Sequence, residues 1–218
     1  MVGILFDLDG TLLDTLEDLT DSVNFVMEQF GCPKRSISHI RSIVGNGALQ
    51  LVALALPGNV DDPDAREVLQ VYKKYYDAHC RCKTGPYPGI PEALAEISKK
   101  HPVGIVSNKP DAAVRALCDD FFPGIYALGE AAGCPRKPAP DMLRKAMEVM
   151  GVSSCIYVGD TEVDLLTAAN AGVHCLCVTW GFRDEAELVG AGGRFFCRQV
   201  SDLPHIIEKI LKEENHGQ

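Results

Sequence analysis

The sequence predicts an α/β protein: a Rossmann-like parallel sheet core with an inserted helical cap. Three observations lead there. Short apolar runs alternate with longer helical patterns along most of the chain. Residues 14–85 break that rhythm and read as helix throughout. Polar residues gather just after the apolar runs, where open α/β sheets bind ligands. The 218 residues, 46% hydrophobic and 23% charged, suffice for one core domain plus an insert.

The first strand is the apolar run at residues 2–6. After it, Leu16, Leu19, Val23, Val26, Met27 and Phe30 recur at three- and four-residue steps, a helical stripe that Gly31-Cys32-Pro33 ends. Further helices are expected over 38–44, 48–56 and 64–82, and Gly85-Pro86-Tyr87-Pro88-Gly89 turns the chain back. Strands then follow at 103–106, 125–128, 155–158, 175–178 and 194–197, with helices between most of them. The helix at 138–150 shows the type: Met142, Ala146 and Val149 share a face, and Gly151 supplies a left-handed stop. Strand–helix–strand alternation implies right-handed crossovers and a parallel sheet covered on both faces. The expected division is a core of residues 1–13 and 86–218 and a cap of residues 14–85, hinged near Asp14 and Gly85.

The formal net charge of -9 disfavours nucleic acid and anionic lipid as partners. A small phosphorylated metabolite would need local compensation from Lys, Arg, backbone N–H groups or a cation. No basic segment followed by an apolar stretch suggests a signal peptide, and no apolar run approaches the roughly 18 residues of a membrane span. The nine cysteines are scattered and read as reduced thiols, which points to a cytoplasmic protein. Cys80/Cys82 and Cys175/Cys177 lack the paired CxxC spacing of a zinc site and read as small buried hydrophobes. Monomer and homodimer both stay open.

The chemistry-bearing residues sit at four element ends. Asp7-Leu8-Asp9-Gly10-Thr11 follows the first strand, Ser107-Asn108-Lys109 the strand at 103–106, and Gly159-Asp160 with Asp164 the strand at 155–158; Lys137-Pro138 precedes a helix. Asp7 and Asp9 lie two apart and can point the same way, which raises one pKa or demands a cation. Asp160 adds a third carboxylate. An all-oxygen set without histidine suits magnesium better than zinc. Helix capping by Asp14, Ser107 and Asp160 would explain single positions but not the set.

Asp7-Leu8-Asp9-Gly10-Thr11-Leu12 resembles the first motif of the haloacid dehalogenase-like hydrolase superfamily. Ser107 resembles its second motif, Lys137-Pro138 its third, and Gly159-Asp160-Thr161-x-x-Asp164 its fourth, all in order along the chain. The resemblance implies Mg2+-dependent hydrolysis of phosphate esters through an aspartyl-phosphate. It makes Asp7 the nucleophile and Asp9 the acid and then the base. Asp7, Asp160 and the Asp9 backbone carbonyl become the metal ligands. Asp164, outside that direct set, either holds a metal-bound water or steadies Lys137. Ser107 and Lys137 would hold the phosphoryl group, with Gly10, Thr11, Asn108 and nearby backbone N–H groups around it. Dehalogenase members lack an acid at the position of Asp9, so its presence points to phosphate chemistry.

The segment Val44-Gly45-Asn46-Gly47-Ala48 is similar to the cap loop of phosphoglycolate phosphatases, as are Lys137-Pro138-Ala139-Pro140-Asp141 and Trp180-Gly181-Phe182-Arg183. This makes 2-phosphoglycolate the expected substrate, with Gly45, Asn46, Gly47 and Arg183 as the specificity candidates. The two glycines serve a tight turn equally well, and Arg183 a solvated loop. β-Phosphoglucomutase-like isomerases, pyrophosphatases and sugar-phosphate phosphatases share the core motifs and stay open as alternatives.

Overall fold

The computed structural model describes residues 1–58, 63–131 and 133–216. β1 (Val2–Phe6) is buried along its length after Val2. It leads through β2 (Leu13–Asp14) into four helices: α1 (Leu16–Gln29), α2 (Ile37–Ile43), α3 (Gly47–Ala55) and α4 (Pro63–His79). β3 (Gly85–Pro86) pairs antiparallel with β2, Asp14 opposite Gly85. The two connections to the helical layer thus form one short ribbon. Asp18, buried in α1, ties the return leg down by accepting from the backbone N–H of Lys83 at 3.0 Å and of Thr84 at 2.9 Å.

The helical layer forms because each helix has an apolar stripe and no sheet to lie on. Leu19, Val23, Val26 and Met27 of α1 meet Ile40 of α2, Leu51 and Val52 of α3, and Val68, Tyr72 and Tyr76 of α4, all buried in one cluster. Truncating any of the large aliphatic members to alanine should cost about 2–5 kcal/mol. Ser36 caps α2 by accepting from the His39 N–H at 3.2 Å.

The rest of the chain is α5 (Ile90–Ile97), β4 (Val103–Pro110), α6 (Asp111–Phe121), β5 (Tyr126–Glu130), α7 (Asp141–Met150), β6 (Ser154–Gly159), α8 (Glu162–Ala171), β7 (His174–Val178), α9 (Glu185–Gly190), β8 (Phe195–Cys197) and α10 (Leu203–His216). Six parallel strands run in the order β5-β4-β1-β6-β7-β8. From β1 the chain fills one side of the sheet with β4 and β5. It then returns to fill the other side with β6, β7 and β8. The direction switches beside β1, so the connections after β4 and β6 diverge there and leave a crevice.

Two elements differ from the sequence expectation near that crevice. β4 continues through Ser107, Asn108 and Lys109 to Pro110, past a register irregularity after Val106. These polar residues are buried: Asn108 bonds the Lys137 backbone, Ser107 accepts from the Lys109 N–H, and the Lys109 side chain pairs with Asp9. α7 starts at Asp141 instead of 138, because Pro138 and Pro140 lack the N–H groups a helix interior needs; Lys137 therefore lies in the loop before it, with a cis bond to Pro138. On α7 the buried set is Met142, Leu143 and Ala146, whereas Val149 faces solvent at 54% exposure. Among the described residues no helix is long and apolar enough to cross a membrane.

Candidate active site

The loop after β1 is shaped by its backbone. The Asp7 N–H donates to Val158 O of β6 at 2.8 Å, and the Leu8 carbonyl accepts from Leu12 and Leu13, both at 3.0 Å. Gly10 adopts φ +81°, a region that disfavours a side chain, and a Cβ there would lie 2.8 Å from a ring carbon of Phe182. This tight turn lets Thr11 Oγ1 donate to Asp160 Oδ1 at 2.9 Å. Asp160, fully buried after β6, also accepts from the Phe182 N–H at 2.7 Å.

Lys137 is 1% exposed, yet its ammonium is fully used. Nζ lies 2.9 Å from Asp7 Oδ1 and 2.8 Å from Asp164 Oδ1, and donates to the Tyr157 hydroxyl at 2.8 Å. Tyr157 in turn donates to Val106 O. Asp164 also completes the N-terminus of α8, accepting from the Thr161 N–H at 3.0 Å and the Thr161 hydroxyl at 2.8 Å. Asp164 thus contacts Lys137 while also lying in the carboxylate cluster with Asp7 and Asp160. Asn108 fixes the Lys137 loop from the other side: its Oδ1 accepts from the Lys137 N–H at 2.8 Å and its Nδ2 donates to Lys137 O at 3.0 Å. The same Nδ2 reaches Gly45 O of the helical layer at 3.2 Å. Ser107, 2% exposed, accepts from the Lys109 N–H.

The carboxylates group differently from the sequence expectation. Oxygen atoms of Asp7, Asp160 and Asp164 lie within 4.8 Å of one another. The Asp9 side chain instead turns to Lys109, whose Nζ is 2.7 and 2.8 Å from its two oxygens. Four acids, Asp7, Asp9, Asp160 and Asp164, face two lysines, 109 and 137, so the formal charge is -4 + 2 = -2. Burial pushes the Asp7 carboxyl up to about 7, against the opposing charge of Lys137. Asp160 is raised well above the carboxylate range by burial and then by Asp164 and Asp7. Burial alone would lower Lys137, but Asp164 and Asp7 outweigh it and hold the ammonium above its ordinary value. Asp7 Oδ1 is buried, 2.9 Å from the Lys137 ammonium. Clustered all-oxygen donors and an excess of negative charge fit a small divalent cation.

Between the crevice and the helical layer lies a cleft of about 520 Å3, counting its solvent-open part. Asp7, Asp9, Ser107, Asn108 and Lys109 line one side, and Gly45, Gly47, Leu51, Tyr72 and Tyr76 the other. Gly45 (φ +122°) and Gly47 (φ +82°) present backbone to it. Asn46 and Arg183 are not among the lining residues. Arg183 donates to both Glu162 oxygens at 2.8 and 3.1 Å, to Arg41 O at 2.9 Å and to Val44 O at 3.2 Å. Arg41 answers with bonds to the carbonyls of Phe182 and Gly181. The two arginines latch α2 onto the loop after β7; only Arg183 was legible from its position after a strand.

The sequence matches the haloacid dehalogenase-like hydrolase family over residues 4–178. It is 33% identical over 214 residues to a phosphoglycolate phosphatase of Cereibacter sphaeroides, spanning 94% of this chain and 91% of that one. Phosphoglycolate phosphatase 1 of Pseudomonas aeruginosa is 32% identical over 212 residues, 92% of this chain and 77% of its own. A crystal structure from Lactobacillus delbrueckii subsp. bulgaricus, itself a candidate phosphoglycolate phosphatase, superposes with a TM-score of 0.88 at 35% identity, covering 94% of this chain and 97% of its own. The chain is an enzyme of the haloacid dehalogenase-like hydrolase family.

Proposed function

We propose that the protein is a magnesium-dependent phosphatase that hydrolyses small phosphate monoesters, 2-phosphoglycolate first among them, through a phosphoryl group carried on Asp7. The observation that carries this reading is the buried Lys137 held between Asp7 and Asp164, beside Asp160. A nucleophilic carboxylate, a fixed cation and a carboxylate-lined place for a metal meet at one point. Phosphoryl transfer needs mainly positioning and charge stabilisation, and this set supplies both.

An oxygen of Asp7 attacks phosphorus, and the bond from phosphorus to the ester oxygen breaks. Asp9 gives its proton to that leaving oxygen, so the alcohol departs neutral. Water then attacks the phosphoryl group, Asp9 takes the water's proton, and the bond to Asp7 breaks to release phosphate and the free carboxylate. Lys137 and the Ser107 hydroxyl hold the equatorial oxygens, with the N–H groups around Gly10, Thr11 and Asn108. Asp7, the Asp9 carbonyl and Asp160 would hold Mg2+, which neutralises charge on the phosphoryl oxygens. Asp164 keeps Lys137 in place. The helical cap, residues 14–85, closes over the cleft and excludes water, and Gly45 and Gly47 bring its backbone to the substrate.

The test is phosphate release from 2-phosphoglycolate, pyrophosphate and several sugar phosphates, each with Mg2+ and with chelator. The expected result is release that favours 2-phosphoglycolate and stops in chelator. Release spread evenly over the panel would discard that substrate, and conversion of β-glucose 1-phosphate to glucose 6-phosphate faster than release would mark an isomerase instead.

A further inference from the structure

Lys109 and Tyr76 are buried at the cleft with donor capacity left over. The Lys109 ammonium has three N–H groups, and the Asp9 oxygens are its only hydrogen-bond acceptors among the described residues. Its Nζ sits 4.7 Å over the ring of Tyr76. The Tyr76 hydroxyl is buried and has no partner. Tyr72, one turn earlier on α4, stacks on it with ring centroids 5.5 Å apart and lines the same cleft. Both tyrosines are 2% exposed. Burial, first, holds both phenols well above their ordinary value, so each remains an O–H donor at neutral pH; Asp9 is the next influence on Tyr76. Buried donors without acceptors are rare in folded proteins and ask for a ligand.

The donors belong to a defined place in the reaction. Asp9 serves the ester oxygen in the reading above, and Lys109 is one hydrogen bond beyond Asp9. A group attached to the substrate's alcohol carbon therefore arrives beside Lys109, under α4. On the side of the helical layer the cleft wall is otherwise apolar, with Leu19, Val44, Ala48 and Leu51. A polyol chain would leave its hydroxyls against those side chains, each unpaired one costing about 1–3 kcal/mol. A compact anion would find the remaining Lys109 N–H and the phenols of the α4 tyrosines lining the same cleft.

We propose that Lys109, Tyr72 and Tyr76 form a subsite that receives a carboxylate borne by the alcohol part of the substrate. This rests on the phosphatase reading and deepens it: the core holds the phosphoryl end, and the β4 lysine with the α4 tyrosines selects the other end. Lys109 also bridges the subsite to Asp9, so a correctly filled subsite sets the position of the acid.

The experiment compares kcat/KM for 2-phosphoglycolate with that for 2-hydroxyethyl phosphate, an ester of similar size without the carboxylate. Unsubstituted protein should prefer the carboxylate ester. The preference should shrink by roughly 10-fold or more in Lys109→Met and several-fold in Tyr76→Phe, which removes one hydroxyl and keeps the ring; Lys109→Arg should keep part of it. A pyrophosphate arm separates a carboxylate subsite from one for a second phosphoryl group: preference for pyrophosphate over both esters would overturn the assignment. Equal losses on both esters in both variants would also overturn it, since Lys109 would then act only on Asp9. If the unsubstituted protein hydrolyses both esters equally, the subsite falls and the phosphatase stands. If it releases phosphate from no ester, both fall.

Discussion

Replacing Asp7 by asparagine should stabilise the metal-free protein while abolishing turnover. Asp7 is a buried carboxylate pushed from 3.8 to about 7, burial being the main cause. A raised acid pKa means that the native state holds a proton that the unfolded state has released. The contribution of Asp7 to stability is therefore greatest below pH 3.8, falls as pH rises toward 7, and then stays low. That interval is roughly three pH units, and at about 1.4 kcal/mol per unit the ionised carboxylate costs on the order of 4 kcal/mol at pH 8. Water entering the cleft reduces this, so a gain of about 2–4 kcal/mol is expected for Asp7→Asn in chelator at pH 8. Lys137 keeps Asp164 as partner, so the variant leaves no buried ammonium unpaired. At about 2–4 °C per kcal/mol for a chain of this size, Tm should rise by at least about 4 °C at pH 8 and by little at pH 4. Mg2+ should narrow the gap by binding the unsubstituted protein more tightly. Thermal unfolding followed by circular dichroism at both pH values measures it. A variant less stable than the parent at pH 8, or a gain independent of pH, would refute the electrostatic reasoning.

Lys137→Met should do the opposite. It leaves Asp7 and Asp164 facing each other without a counter-charge, at a cost of about 3–5 kcal/mol that urea unfolding at pH 8 would register; an unchanged midpoint would contradict the ion-pair account. Arg41→Ala together with Arg183→Ala removes the bonds that latch α2 to the loop after β7. Hydrogen exchange in α2 should accelerate at least tenfold while exchange in β1 stays unchanged, and equal protection in α2 would show that the latch contributes nothing.

The core was legible because its residues sit where the backbone itself prescribes. Open α/β sheets bind ligands at the carboxyl ends of their strands, so Asp7, Ser107 and Asp160 could be named from their place after apolar runs, although β4 runs on past Ser107 to Pro110. Side-chain direction was less legible. Asp7 and Asp9 share a spacing that suggests a common heading, yet Asp9 turns to Lys109 and its place in the carboxylate cluster goes to Asp164. That exchange depends on Lys137, which reaches the cluster from a loop that two prolines keep out of α7. Tyr157 read as one more apolar strand position, and only the fold shows its hydroxyl against Lys137. Tyr72 and Tyr76 lie on the buried stripe of an amphipathic helix, a pattern that says core and nothing about a cleft. Arg183 was offered as a substrate contact, but its partners are carbonyls 139 to 142 residues away and a neighbouring glutamate, which no local pattern announces.

The central claim is that phosphorus passes through Asp7. An acid-quenched single turnover with substrate labelled on phosphorus, in the presence of Mg2+, tests it most directly. The expected result is transient label on the peptide that carries Asp7, absent in Asp7→Asn and released as inorganic phosphate when the reaction is left to finish. Phosphate release at full rate with no label on the protein, persisting in Asp7→Asn, would contradict it.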